Sequence, residues 1–398
     1  SANNPTVTIG GDLDFTGTGT GMEIIAAGNG TWTVGGSVNF ADGFFAPSVM
    51  DLTPTRDRAV KGQFTYSYIG QCVGVKVYSC ESETATVLTF GQQINDLCGY
   101  AGQDWTDYGW RAGLKYDLSS IPTTATVTSA YFGASVSATQ TPSSDSVTIG
   151  HAATDTPNLD ACNEASMADL APTSYADVVW STTGSKRVNL GSTAVSDIQS
   201  RVATGSVIAL VVDKTTTTPP VYGWVEGSIN SSESSTGQPT LRVGYVPSGS
   251  TAKLVMNGTG TLTTNGFPLN NLDLSGSVTL AGATHTLYGN LDMTSGTITS
   301  GSSTVIMAGS SKTITGSAQT LNNLTASADT TVQTSNLSVS GTLTVNSGKT
   351  LTITSVSLTH SGAGMTLSGT VAGTGTLVFT DTSSGPGVNG TLTVPVRF

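Results

Sequence analysis

The chain has 398 residues, of which only 10% are charged and 37% hydrophobic; Ser, Thr and 48 Gly stand where charge would normally be. Helical bundles and coiled coils, which need Glu, Lys, Ala and Leu at helical spacing, are thereby excluded. The net charge of −11 comes with scattered basic residues and no basic run, which argues against nucleic-acid binding.

Apolar residues recur with period 2, and the mean hydropathy of +0.05 is too high for simple disorder. These features predict an all-β protein. No apolar stretch approaches the roughly 18 residues that cross a bilayer as a helix. The chain opens SANNPTVTIGG, which looks like a mature end after signal cleavage at a small-residue site.

In residues 1–60, GDLDFTG (11–17) and GSVNFADG (36–43) share a pattern: Gly, two apolar residues spaced by two, then a turn. Residues 61–248 are foreign to it. They hold four of the five Trp, all four Cys and most of the Glu, Lys and Arg. The four Cys (Cys72, Cys80, Cys98 and Cys162) show no zinc-ligand spacing and are read as two disulfides of an oxidising compartment. Three connectivities are open; Cys72–Cys80 closing a hairpin and Cys98–Cys162 tying a loop are favoured.

Strands are predicted at 84–90, 112–118, 126–137, 145–153, 186–191, 207–213, 221–227 and 240–246, an antiparallel jelly-roll β-sandwich. One helix is predicted, Thr193–Val202, with Ser192 or Thr193 as its N-cap. The segment 95–111 is the densest in functional residue types. Asp96, Asp104 and Asp107 are candidate Ca²⁺ ligands, and Trp105, Tyr108 and Trp110 are candidate sugar platforms. A loop with capping aromatics and Asx-turns is the bland alternative.

From residue 249 onward there is no Glu, and short alternating runs are broken by Gly, Ser-Gly and Asn-Gly. LNNL recurs at 269 and 321, and GNLDMTSG (289–296) parallels GTLTVNSG (341–348), each pair 52 residues apart. Met256 and Met307 are 51 apart. A shared offset predicts a stacked β-solenoid, each repeat holding two or more coils. Three parts follow: a solenoid part at 1–60, an inserted sandwich at 61–248 with its core at 84–247, and solenoid repeats at 249–398.

Six N-x-S/T sequons, at Asn29, Asn230, Asn257, Asn323, Asn336 and Asn389, are about what chance supplies, although exposed solenoid turns would accept glycans. His151, His285 and His360 lie in no nucleophile-elbow, HExxH or phosphate-loop context and are read as structural. The solenoid half lacks the carboxylate pairs of a glycosidase.

The series RAGLKYDLSSIPTTATVTSAYFGASVS, then DIQSRVATGSVIALVV, then WVEGSINSSESSTGQPTLRVGYV resembles the DNRLRE-type modules of secreted bacterial and archaeal proteins. The likeness covers about 84–247. Trp224-Val225-Glu226 departs from the aromatic and Ser-Arg-Glu of those modules. The flanks, with strings such as KTITGSAQTLNNLTAS, resemble Gly/Thr-rich β-helical repeats of archaeal and bacterial surface proteins.

The expectation is a secreted or cell-surface structural protein without catalysis, a subunit of a filament, sheath or surface layer that assembles with copies of itself through strand edges. The alternating stretches PTVTIGGDLDF and TLTVPVRF suggest such edges. A carbohydrate-binding adhesin for surface glycans, or a viral or phage fibre, is the alternative. No cofactor is expected beyond the candidate Ca²⁺.

Overall fold

The computed structural model describes residues 5–15, 24–26, 28–40, 44–68, 72–80, 85–94, 105–139, 146–215, 223–362, 364–380 and 387–398. Strands hold 54% of the chain and helices 6%, so the fold is all-β. It divides into two compact units, residues 1–49 with 246–398, and residues 50–245.

The first unit is a β-solenoid. Its short runs alternate apolar and polar side chains and are separated by corners, many of which contain Gly. Stacking therefore turns every second residue inward. Thr350–Ile353 is typical: Leu351 and Ile353 are fully buried, and Thr350 and Thr352 face outward.

All ladders in this unit are parallel. One face is a 10-stranded sheet from Thr6–Ile9 to Thr391–Leu392. A second face carries the sheets from Leu13–Asp14 to Thr297–Thr299 and from Gln319–Leu321 to Val396–Arg397. The third includes a six-stranded sheet from Thr284–Leu287 to Gly387–Val388.

The ladder runs straight across the interruption in sequence. Thr31 pairs with Lys253 and Val34 with Met256, and on the next face Val38 pairs with Leu262. The two pieces of solenoid are thus adjacent rungs of one stack.

The coil period differs from the repeat read in the sequence. Paired residues on successive rungs lie from 18 apart (Lys312 with Thr330) to 25 apart (Thr6 with Thr31). The 52-residue offset is no whole number of coils, because it carries Asn271 on the 10-stranded face to Asn323 on the six-stranded one. The two positions match because their corners use the same chemistry. Asn271 Oδ1 accepts the Asn290 amide at 2.8 Å, and Asn323 Oδ1 accepts the Thr342 amide at 2.7 Å. A Cβ on Gly289 would fall 2.5 Å from Asn271 Oδ1, and one on Gly341 would overlap Asn323 Oδ1. Asn on one coil therefore demands Gly on the next.

The second unit is an antiparallel sandwich of twelve hydrogen-bonded strands. Its centre is the Trp105–Asp117 strand, which pairs with Val207–Thr215, Val87–Ile94 and Arg56–Tyr68. Leu114, Tyr116, Leu118, Phe132, Ile149 and Leu210 form its core.

Six of the eight predicted strands lie within three residues of observed ones at both ends; the 84–90 run ends four residues short of Ile94, and the 112–118 run extends back to Trp105. The Arg56–Tyr68 and Cys72–Cys80 hairpin and the Thr173–Val178 strand were not predicted. In the hairpin, Lys61-Gly62-Gln63 and Gly74 break the apolar alternation.

Helix α1 (Glu164–Asp169) is short and is held by a capping box in which Asn163 and Ser166 serve one another. Helix α2 (Gly191–Val202) covers the core with Ala194, Ile198 and Val202. Its N-cap is Leu190, which makes no side-chain cap bond; neither Ser192 nor Thr193 caps it. Asn189 Oδ1 instead accepts the Gly191 amide at 2.9 Å.

The disulfide pairing also departs from expectation. Cys80 is bonded to Cys162, with Cα atoms 5.3 Å apart. Both favoured pairs, Cys72–Cys80 and Cys98–Cys162, are therefore excluded. The bond joins the end of the Cys72–Cys80 strand to the turn before α1, a contact set by the tertiary fold and invisible in Cys spacing. Cys98 lies outside the described residues.

Candidate functional site

Of the segment singled out for metal or sugar binding, Asp96 and Asp104 lie outside the described residues. Trp105, Asp107 and Tyr108 belong to the Trp105–Asp117 strand, but their side chains are outside the description. Trp110 is buried, and the Lys61 ammonium lies 5.1 Å from its ring centroid. That ring is packed under a cation and offers no open platform. Among the described residues no group of three His, Cys, Asp or Glu is placed to hold a metal ion.

A charged cluster lies elsewhere in the sandwich, where α2 faces the Ser146–His151 and Thr173–Val178 strands. Asp155 Oδ1 is 2.7 Å from His151 Nε2 and 2.8 Å from Arg201 Nε. The Arg201 guanidinium also lies 3.2 Å from His151 Nε2. Arg can only donate and a carboxylate only accepts, so at the shorter contact His151 Nε2–H donates to Asp155.

Tyr175 donates its hydroxyl to Asp197 Oδ2 at 2.6 Å, and Asp197 lies 3.8 Å from Arg201. Burial works against the Asp155 charge, but Arg201 and His151 outweigh it and hold the carboxyl below its usual range. Burial and the bond to Asp197 push the Tyr175 phenol up. Each member is tied to another, so the cluster clamps α2 to the sheet. Sequence reasoning missed it because its residues span 151–201 without a motif.

In the solenoid the histidines are core residues. His285 Nδ1 lies 3.0 Å from Thr264 Oγ1, and its Nε2 donates to the Ala281 carbonyl at 3.2 Å. Burial pushes this imidazole below the ordinary His range, partly opposed by the Ala281 carbonyl. His360 Nε2 faces the Gly341 and Gly364 carbonyls at 3.0 and 2.9 Å. Its ring meets Phe379 edge-on, and Phe379 stacks on Phe398 at 5.5 Å.

The outermost strands of the ladder differ from the inner ones. Thr6–Ile9 and Thr391–Leu392 each pair on one side only among the described residues. Val7, Ile9, Leu392 and Val396 are only half-buried, whereas the inner Val34, Val371 and Leu377 are fully buried. Phe398 is 96% exposed.

Among the described residues no helix is long and apolar enough to cross a membrane. No protein-family model matches the chain, and no curated protein matches it.

Proposed function

We propose that this chain is a non-catalytic structural protein of an extracellular assembly, a filament, sheath or surface layer, in which the solenoid is a stem and copies join through strand edges. The carrying observation is the ladder itself. Its outer strands offer rows of N–H and C=O groups, with half-buried apolar side chains beside them.

A second copy added there would continue the pattern already repeated along the stem. Each added backbone hydrogen bond contributes roughly 0.5–1.5 kcal/mol net, and each aliphatic side chain newly buried about 1.5–3 kcal/mol. Low charge favours the same contact, since few ions would be desolvated. The Cys80–Cys162 bond supports an oxidising compartment, as does the likeness of 84–247 to secreted DNRLRE-type modules. The burial of Trp110 weighs against the sandwich acting as a glycan-binding platform.

Sedimentation and electron microscopy of the full chain at rising concentration test this reading. Regular end-joined polymers are expected, and removal of residues 388–398 should lower self-association without unfolding the chain. A monomer at high concentration would contradict it.

A further inference from the structure

The six sequons sort into two classes once their surroundings are compared. A glycan acceptor must present both the Asn amide and the hydroxyl residue two positions on, because the transferring enzyme must reach the whole tripeptide.

Four sequons fail. Asn230 donates Nδ2 to the Thr236 carbonyl at 2.7 Å, and the hydroxyl of Ser232 is held by Asp57 at 2.8 Å. Asn323 uses both ends of its amide, accepting from the Thr342 amide and donating to Thr304 Oγ1 at 3.2 Å, and Leu324 beside it is fully buried. Asn29 Oδ1 accepts the Thr251 amide at 3.2 Å, and Thr31 is a half-buried ladder residue. Asn336 Oδ1 accepts the Ser357 amide at 2.8 Å, and its Ser338 lies half-buried between paired strands.

Asn257-Gly258-Thr259 and Asn389-Gly390-Thr391 differ from all four. In each, both the Asn and the Thr are exposed, and neither Asn side chain is hydrogen-bonded among the described residues. The backbone holds both corners still: the Asn257 amide donates to the Val34 carbonyl at 3.1 Å, and the Asn389 amide to the Leu367 carbonyl at 2.9 Å. A Cβ on Gly258 would overlap the Gly35 carbonyl, and one on Gly390 the Gly369 carbonyl. Packing therefore accounts for the Gly in each tripeptide.

Packing does not account for the Asn. The residues at the same corners one coil away are Ser275 and Ser368, whose amides donate in the same way, to Met256 and Val345. Nor does turn geometry: Asn265 takes φ 48, where Asn is favoured, but Asn257 and Asn389 do not take a positive φ.

We infer that Asn257 and Asn389 are N-glycosylation sites of the folded protein and that the other four sequons are not. In the transfer, the Asn Nδ2 bonds to the anomeric carbon of an oligosaccharide carried on a polyprenyl phosphate or pyrophosphate. The bond from that carbon to the phosphate oxygen breaks. The lipid phosphate leaves with the electron pair, and the amide loses one proton. Both sites lie on corners, where a bulky polar group meets solvent and leaves the ladders undisturbed. The assignment rests on export of the chain and not on its polymerisation.

The test is glycopeptide mapping of the native protein, with the intact mass of Asn257→Gln, Asn389→Gln and the double variant made in the same cells. Glycans at Asn257 and Asn389 are expected, each single variant losing one and the double variant carrying none. An unmodified Asn at either position, in protein recovered outside the cell, overturns the assignment there and leaves the export reading standing. A glycan on Asn29, Asn230, Asn323 or Asn336 overturns the geometric criterion. Protein confined to the cytosol overturns both the assignment and the export reading.

Discussion

The two units use similar strands and hold them together in different ways. Among the described residues the solenoid strands pair from coil to coil, 18 to 25 residues along the chain, and the long-range pairings are those that cross the insertion. In the sandwich the contacts are long-range: Arg56 and Arg58 meet Asp160, Arg242 meets Asp51, and Cys80 is bonded to Cys162 at a sequence separation of 82. The solenoid thus behaves as a sum of coil and neighbour terms, while the sandwich stands or falls as one body. Charge follows the same division. A repeating ladder tolerates few ions, whereas the sandwich uses them to fix loops and α2.

The largest separation of the two should come from the disulfide. Cys80→Ser with Cys162→Ser should lower sandwich stability by about 2–5 kcal/mol and leave solenoid unfolding unchanged. Hydrogen exchange resolved by peptide would read the two units apart. A loss of protection in the solenoid coils would break the division.

A smaller effect, confined to the other unit, is expected at Gly309, where an added Cβ would overlap the Tyr288 carbonyl. Gly309→Ala should cost about 1–3 kcal/mol. Faster exchange should be limited to the coils flanking Gly309, with the sandwich unaffected.

The units should also part in acid. His285 is held below its unfolded value near 6.5, so the unfolded chain takes up a proton that the folded one refuses. Solenoid stability should fall as pH drops below about 6.5, and His285→Gln should flatten that fall. Asp155 is shifted the opposite way for its charge type, so its contribution to the sandwich is present above roughly pH 4 and is lost only below it. Urea midpoints against pH for His285→Gln and Asp155→Asn, each beside the unaltered chain, would check the two windows.

The smallest effect is expected at Tyr116, whose fully buried hydroxyl has no hydrogen-bond partner among the described residues. Tyr116→Phe should change sandwich stability by less than about 1 kcal/mol in either direction. A larger loss would mean that the hydroxyl is bound to a group outside the described residues.

What could be read in the sequence follows the local physics. Alternation and Gly corners located the ladder strands, and Thr240–Val246 was placed to the residue because TLRVGYV alternates cleanly between turn signals. Properties that depend on distant partners were not legible. Cys80 pairs with Cys162 because two loops meet in space, and the His151, Asp155 and Arg201 cluster forms only when α2 packs on the sheet. The 52-residue repeat was visible but its meaning was not. Asn271 and Asn323 play the same corner role on different faces, so similarity in sequence did not mark equivalence in the stack. Of the residues chosen for Ca²⁺ or sugar, only the Trp110 side chain lies within the description, and it is buried.

The central claim is that the two solenoid pieces form one ladder around an inserted sandwich, and the pairing of Thr33 with Val255 tests it directly. Both residues are half-buried and face the same side of neighbouring rungs, while Asp273 pairs with the far side of Val255. Thr33→Cys with Val255→Cys should cross-link under mild oxidation, giving a disulfide-joined peptide pair by mass spectrometry. Thr33→Cys with Asp273→Cys, one rung further, should cross-link far less. Equal cross-linking of both pairs, or none in the first, would contradict a single continuous stem.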